Sequence, residues 1–302
     1  MDLVTTFCYM FALLGAGVGA RAVGVLTPER SDYLTRFAFY VALPALVFES
    51  ASATSLGSVF SVAMVAGFLC ALLGVAGIAW VVHRRVPGRG ARSVAIVQSY
   101  HGNLGFLGLP LVAATLGRTA TAEASVLLGV AALVQIPLTL LVLTAMNDAD
   151  ASVDAEFASV ARNPVILAFV AGLAVAALGL HVPPVGTTVL ETLAPLALPA
   201  ALVSVGASLA LDVGDVELAT VGSVVALKVA VMPLFGVAVL TLLAAGATTV
   251  RTVAVMLAMP TAVSTFVYAN RLGGDDRLAS TNVLVTTVVS LGAVFAVLAL
   301  LG

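Results

Sequence analysis

The chain has 302 residues, 61% of them hydrophobic and 9% charged, with a formal net charge of −2. Soluble domains carry roughly 45–50% apolar and about 25% charged residues, so this composition excludes a water-soluble globular fold. With no basic patch and no aromatic-rich ribbon it also gives no ground for a nucleic-acid partner.

About 20 apolar residues in a helix cross the hydrocarbon layer of a bilayer, which is about 30 Å thick. Apolar runs bounded by charge, Gly or Pro predict ten such spans, at roughly 3–25, 31–50, 56–83, 91–117, 122–146, 161–181, 186–211, 216–245, 250–271 and 277–301. The fold class is therefore an all-α integral membrane protein embedded in a lipid bilayer. The first span lacks a basic segment ahead of its apolar run, so it reads as a retained span and not as a cleaved leader. Cys8 in it and Cys70 in the third have no metal-type spacing and read as small buried hydrophobes. Gly15 and Gly19 fit a small-residue helix-packing face. Glu49 closes the second span, where it can reach the interface as a surface group.

The longest polar connector is the acidic stretch Asn147–Ala161 near the middle of the chain. It divides the sequence into a first repeat at 1–146, a joint at 147–160 and a second repeat at 161–302. ALPA at Ala42–Ala45 in the second span recurs at Ala197–Ala200 in the seventh, followed by VFESAS and VSVGAS. Pro110 in the fourth span is matched by Pro260 in the ninth, with an offset of 150 residues against 155 for ALPA. Five spans per half is an odd number, so the second half enters the membrane inverted. Inverted repeats of this kind occur in many secondary transporters, which bind substrate near the midplane at discontinuous helices. Sorting the arginines by loop places ten on one side and only Arg118 and Arg251 on the other. Because Lys and Arg accumulate on the cytoplasmic side, both termini are expected outside and the joint inside a cell membrane crossed many times.

The segment Ser99–Leu111, SYHGNLGFLGLPL, interrupts the fourth span with Tyr100, His101, Asn103, Gly102, Gly105, Gly108 and Pro110. Glycines every three residues let another backbone approach. Pro110 lacks an N–H and crowds the preceding turn, so a break is expected just before it. Backbone groups freed at membrane depth must face protein or a watery cavity. The ninth span repeats the pattern: Pro260 is followed by Thr261, Ser264, Thr265 and Tyr268, and Thr261, Ser264 and Tyr268 are expected on one helical face. Two half-helix N-termini, each with unpaired N–H donors and about half a positive charge, would form an anion site without any cationic side chain.

These residues, with RNP at Arg162–Pro164, LPAALVSVGASL at Leu198–Leu209 and Lys228 ahead of Pro233, resemble the auxin efflux carrier family, which includes the plant PIN exporters. The resemblance covers essentially the whole chain. It implies ten helices in two inverted five-helix repeats, with broken fourth and ninth helices crossing at their prolines, an architecture related to bile-acid/sodium symporters. It also implies transport of auxin-like acids or mono- and dicarboxylates, a homodimer, a scaffold of spans one, two, six and seven, and Asn103 near the substrate carboxylate. The chain departs from the plant exporters in its short joint and in having Val253 where a second asparagine is expected, seven residues before Pro260.

The candidate substrate-binding residues are thus Asn103, Gly105, Pro110, Pro260, Thr261 and Ser264. Asn103 alternatively serves as an interhelical hydrogen bond. His101 is either a packed neutral ring or a proton carrier. Lys228, about twelve residues into the eighth span, is a costly charge at that depth and stands either as a structural partner or as a coupling group. No nucleophile elbow, HExxH, P-loop or dinucleotide motif is present, so no enzyme activity, cofactor or metal is expected. The reading is a secondary transporter of a small organic anion working by alternating access, with an anion-binding sensor that moves no solute as its rival.

Overall fold

A computed structural model describes residues 3–54, 59–149, 158, 161–209 and 216–301. Among the described residues the protein is all-helical, with 85% of them in helix, and the extended pairing is an isolated backbone bridge between Gly102 and Thr261. Most of the joint at 147–160 lies outside the described residues, as do Met1 and Gly302.

Eleven helices follow in chain order among the described residues: α1 Leu3–Ala22, α2 Pro28–Ser52, α3 Val62–Arg85, α4 Arg89–Gln98, α5 Leu104–Asn147, α6 Pro164–Ala177, α7 Pro184–Ser208, α8 Leu218–Leu242, α9 Ala247–Leu257, α10 Val263–Arg271 and α11 Asp276–Leu301. Seven of them, α1, α2, α3, α5, α7, α8 and α11, are long and apolar enough to cross a membrane. This makes a multi-pass membrane protein. Helix α5 has 44 residues, which would extend about 66 Å if straight, roughly twice the hydrocarbon thickness. Its backbone leaves the helical region at Gly117 (φ 80°, ψ −171°), a conformation glycine adopts without a Cβ clash. The element is therefore two arms, 104–116 and 118–147.

Prolines shape the helices in a recurring way. The turns widen to π-helix at Ala38–Ala42, Leu104–Gly108 and Ala226–Val231, and each widened stretch ends two residues before a proline, Pro44, Pro110 and Pro233. Proline gives no N–H to the carbonyl four residues back and its ring pushes that carbonyl away. A wider turn relieves the crowding while the helix continues.

The chain divides into two compact units, and each draws on both sequence halves: unit 1 is Met1–Ser61, Gly105–Gly129 and Ser159–Ser208, and unit 2 is Val62–Leu104, Val130–Ala158 and Leu209–Gly302. In unit 1, α1 packs on α7 and α2 on α6. A Cβ on Gly17 would overlap the Val203 carbonyl, and one on Gly206 would overlap that of Leu14, so the α1 and α7 backbones touch through paired glycines. The expected packing glycines, Gly15 and Gly19, have open space around them. They lie on the opposite side of the helix from Gly17, and a small-residue repeat does not say which side a neighbour takes. Gly172 of α6 likewise meets the Phe48 carbonyl and Ala51 of α2.

In unit 2, α8 packs against α3 and α9, with Gly67 under Leu240 and Gly236 under Leu257. Val94, Ala95, Val221, Val224, Ala269, Leu278 and Ala279 form a buried cluster joining α4, α8, α10 and α11. Large apolar side chains such as Phe11, Trp80, Leu141 and Leu242 point outward, as lipid allows. Cys8 and Cys70 are also exposed and are not the buried residues expected of them. In a bilayer the outward face is as apolar as the inward one, so apolar sequence neighbours do not locate a residue inside.

Candidate functional site

The candidate site lies in unit 2, where two helices are interrupted. Helix α4 stops at Gln98 and helix α9 at Leu257, leaving 99–103 and 258–262 non-helical. Pro260 cannot donate to an α-helical ladder, and Gly102 has so little room that a Cβ would stand 3.2 Å from both Lys228 Nζ and Leu104 Cδ2. These residues let the two strips of backbone pair. The Asn103 N–H donates to the Pro260 carbonyl (2.8 Å), and the Ala262 N–H to the His101 carbonyl (3.0 Å). Thr261 Oγ1 also donates to the His101 carbonyl (3.2 Å).

The backbone polar groups freed by the interruption are then met by side chains. The Gly102 N–H donates to Gln135 Oε1 at 2.6 Å, and the Thr261 N–H to Thr286 Oγ1 at 3.2 Å. His101 Nδ1 is 2.8 Å from Thr139 Oγ1. Gln98 Nε2 donates to Thr265 Oγ1 (2.9 Å) and to the Ala279 carbonyl (3.0 Å), and Gln98 Oε1 accepts from Asn282 Nδ2 (2.8 Å). Lys228 Nζ donates to the Leu257 carbonyl at 2.8 Å. This accounting is what buried polar groups require in a low-dielectric medium. Asn103 and His101 are 6% and 5% exposed, and Thr261 and Lys228 are fully buried.

Of the residues singled out in the sequence, His101, Asn103, Lys228, Pro260 and Thr261 come together here. Three details differ from expectation. The break precedes Pro110 by a whole turn and more, because the π-helical stretch Leu104–Gly108 takes up the crowding from the proline. Thr261 precedes α10, which begins at Val263, so it shares no helical face with the half-buried Tyr268 and the exposed Ser264. Finally, the amides of Gly102, Asn103, Thr261 and Ala262 are already taken by protein acceptors, and a cationic side chain, Lys228, stands among them.

Gly105 and Pro110 belong to unit 1. A Cβ on Gly105 would make an ordinary 3.7 Å contact with Leu128. Pro110 lines a recess of about 240 Å³ together with Tyr9, Leu46, Glu49, Leu198 and Pro199. At this recess Glu49 pairs with Arg118 at 3.1 Å, so its carboxylate has a partner within the protein.

Sequence reasoning passed over Gln98, Gln135, Thr139, Asn282 and Thr286. A usable sign existed. Gln135 and Thr139 stand four residues apart in the apolar middle of the fifth span, and Thr281, Asn282, Thr286, Thr287 and Ser290 form a buried polar stripe along α11. Polar groups at membrane depth are expensive enough to mark sites of function or of unwound backbone.

Interrupted helices whose freed backbone is met by buried polar side chains are an arrangement also found in transporters among multi-pass membrane proteins. The chain belongs to the family described as Membrane transport protein, whose profile matches residues 1–161 and 155–297, the auxin efflux carrier family of the sequence resemblance. It is 27% identical over 284 residues to a Rhizobium meliloti (strain 1021) protein named "Putative malonate transporter", covering 90% of this chain and 88% of that one.

Proposed function

We propose that the protein is a secondary transporter that moves a small organic anion, a mono- or dicarboxylate, across the cytoplasmic membrane by alternating access. The observation that carries this reading is the backbone pairing of two interrupted helices at Gly102 and Thr261 beside a buried lysine. A protein that only needed to span lipid would keep both helices continuous. The name of the Rhizobium meliloti relative makes malonate the first substrate to test.

Ten spans are counted when α4 and the first arm of α5 form the fourth, the second arm the fifth, α6 the sixth, and α9 with α10 the ninth. The turn at Gly117 supports this count, as does the matching place of the two interruptions in the two sequence halves. With five spans in each half the second repeat is inverted, and the sorting of the arginines puts both termini outside. Helices α1, α2, α6 and α7 all fall in unit 1, in keeping with their assignment as the scaffold and homodimer contact. The candidate substrate residues on this reading are Asn103, Pro260, Thr261 and Ser264 of unit 2 and, by themselves, Gly105 and Pro110 of unit 1.

Proteoliposome uptake of labelled malonate, succinate and indole-3-acetate tests the proposal. Saturable uptake of at least one carboxylate is expected. Carboxylate binding to purified protein without any flux would make it a sensor, and neither binding nor flux would remove the anion class.

A further inference from the structure

Helix α9 ends inside the protein, and its last carbonyls lose their helical partners. The Ala254 carbonyl accepts from the Ala258 N–H (2.9 Å) and that of Met256 from the Met259 N–H (3.4 Å). Among the described residues no backbone amide is paired with the Leu257 carbonyl. It accepts instead from Lys228 Nζ at 2.8 Å. A helix C-terminus carries about half a negative elementary charge, and in transporters built on broken helices such ends and the unwound carbonyls beside them coordinate the coupling sodium ion or proton.

Here a side chain reaches that place. Lys228 is fully buried, its other hydrogen-bond partner is the Met232 thioether at 3.3 Å, and among the described residues no carboxylate pairs with it: the ion pairs are Asp32–Arg36, Arg89–Asp148 and Glu49–Arg118. The lysine rides in the widened turn Ala226–Val231 ahead of Pro233, so the proline that widens the turn also sets the lysine's aim. Gly102 completes the fit, since any side chain there would press on Nζ.

We propose that Lys228 is a tethered cation: its ammonium fills the position of a coupling metal ion at the end of α9, so that the protein binds and moves its anion without sodium and becomes cation-dependent when the lysine is removed. The inference rests on the transporter reading for its functional half, whereas its structural half is read from folding stability alone.

The test compares the full-length wild type with Lys228→Ala and with Lys228→Met, which keeps the length and loses the charge. Melting of each purified protein is followed in choline, sodium and methylammonium chloride, and malonate uptake is measured in the same salts. For the wild type, uptake and melting are expected to be the same in all three salts to within about twofold and about 1 °C. Lys228→Ala should lose about tenfold or more of its uptake in choline and recover it in methylammonium or sodium. Its melting temperature should rise by about 3 °C or more in those salts, because a ligand that binds only the folded state stabilises it. Lys228→Met, with the space filled by an uncharged chain, should be impaired and not rescued.

Uptake by the wild type that rises more than about threefold with sodium overturns the proposal. So does a Lys228→Met protein that melts and transports like the wild type, or a Lys228→Ala protein that no cation stabilises. If Lys228→Ala cannot be purified, Lys228→Met and the wild-type salt comparison decide. Absence of wild-type uptake in every salt removes the transporter reading and leaves the melting comparison to judge the tethered cation.

Discussion

Replacing Gln135 by leucine removes one acceptor and little volume. Gln135 is 3% exposed, and its Oε1 accepts the Gly102 N–H at 2.6 Å, a donor that the interruption after α4 has left without a helical partner. Leucine leaves that N–H buried and unpaired, which costs about 1–3 kcal/mol. The cost should fall in the upper half of this range, because the hydrogen bond is short and the surroundings are apolar. Thr286→Val at the partner strip removes the acceptor of the Thr261 N–H, a longer bond of 3.2 Å, and should cost less, about 1 kcal/mol. The two amides flank one backbone bridge, so the double variant should deviate from additivity by about 0.5 kcal/mol or more. Chemical or thermal unfolding in a single detergent measures all four proteins. A Gln135→Leu protein as stable as the wild type would refute the reasoning, since it would mean that the freed amide reaches water or another acceptor.

Other outcomes follow from the same geometry. Gly206→Leu should destabilise unit 1 by about 3 kcal/mol or more, beyond ordinary overpacking, because the new side chain meets the Leu14 backbone and not a movable tip; Gly15→Leu, in open space, should melt as the wild type does. Pro260→Ala lets α9 extend toward α10 and competes with the pairing of Pro260 and Asn103, so carboxylate binding should weaken for all substrates alike, as read by titration. Reporters fused beyond Gly302 and ahead of Met1 should both register outside, and one inserted at Asp150 inside; a cytoplasmic C-terminus would remove the ten-span inverted repeat.

Much of the architecture is legible in the sequence because lipid imposes a simple rule: apolar length makes a span, and polar residues or glycines inside a span mark a disturbance. The rule marks Ser99–Leu111 and the span around Pro260, and the non-helical stretches 99–103 and 258–262 fall within them. The break near Pro110 is offset from its expected place because a proline can be absorbed by a π turn, as at Pro44 and Pro233, and sequence does not distinguish widening from breaking. The partners of the unwound backbone were marked only as polar residues within spans, and what each of them meets was not legible. Gln135, Thr139 and Thr286 lie 33, 38 and 25 residues from the groups they meet, a pairing that only the packing of the helices sets. The outward Cys8 and Cys70 have the same cause. Lys228 was visible as an anomaly, but its partner is a backbone carbonyl, which carries no sequence signature.

The central claim, that a carboxylate is held at the crossing of the interrupted helices, is tested most directly by malonate binding and uptake measured on one preparation of wild type and Asn103→Ala. The account predicts that Asn103→Ala keeps its fold and melts with the wild type while its affinity falls about 5- to 150-fold, the equivalent of about 1–3 kcal/mol for a hydrogen bond to a charged group. An Asn103→Ala protein that binds and transports malonate like the wild type would contradict it.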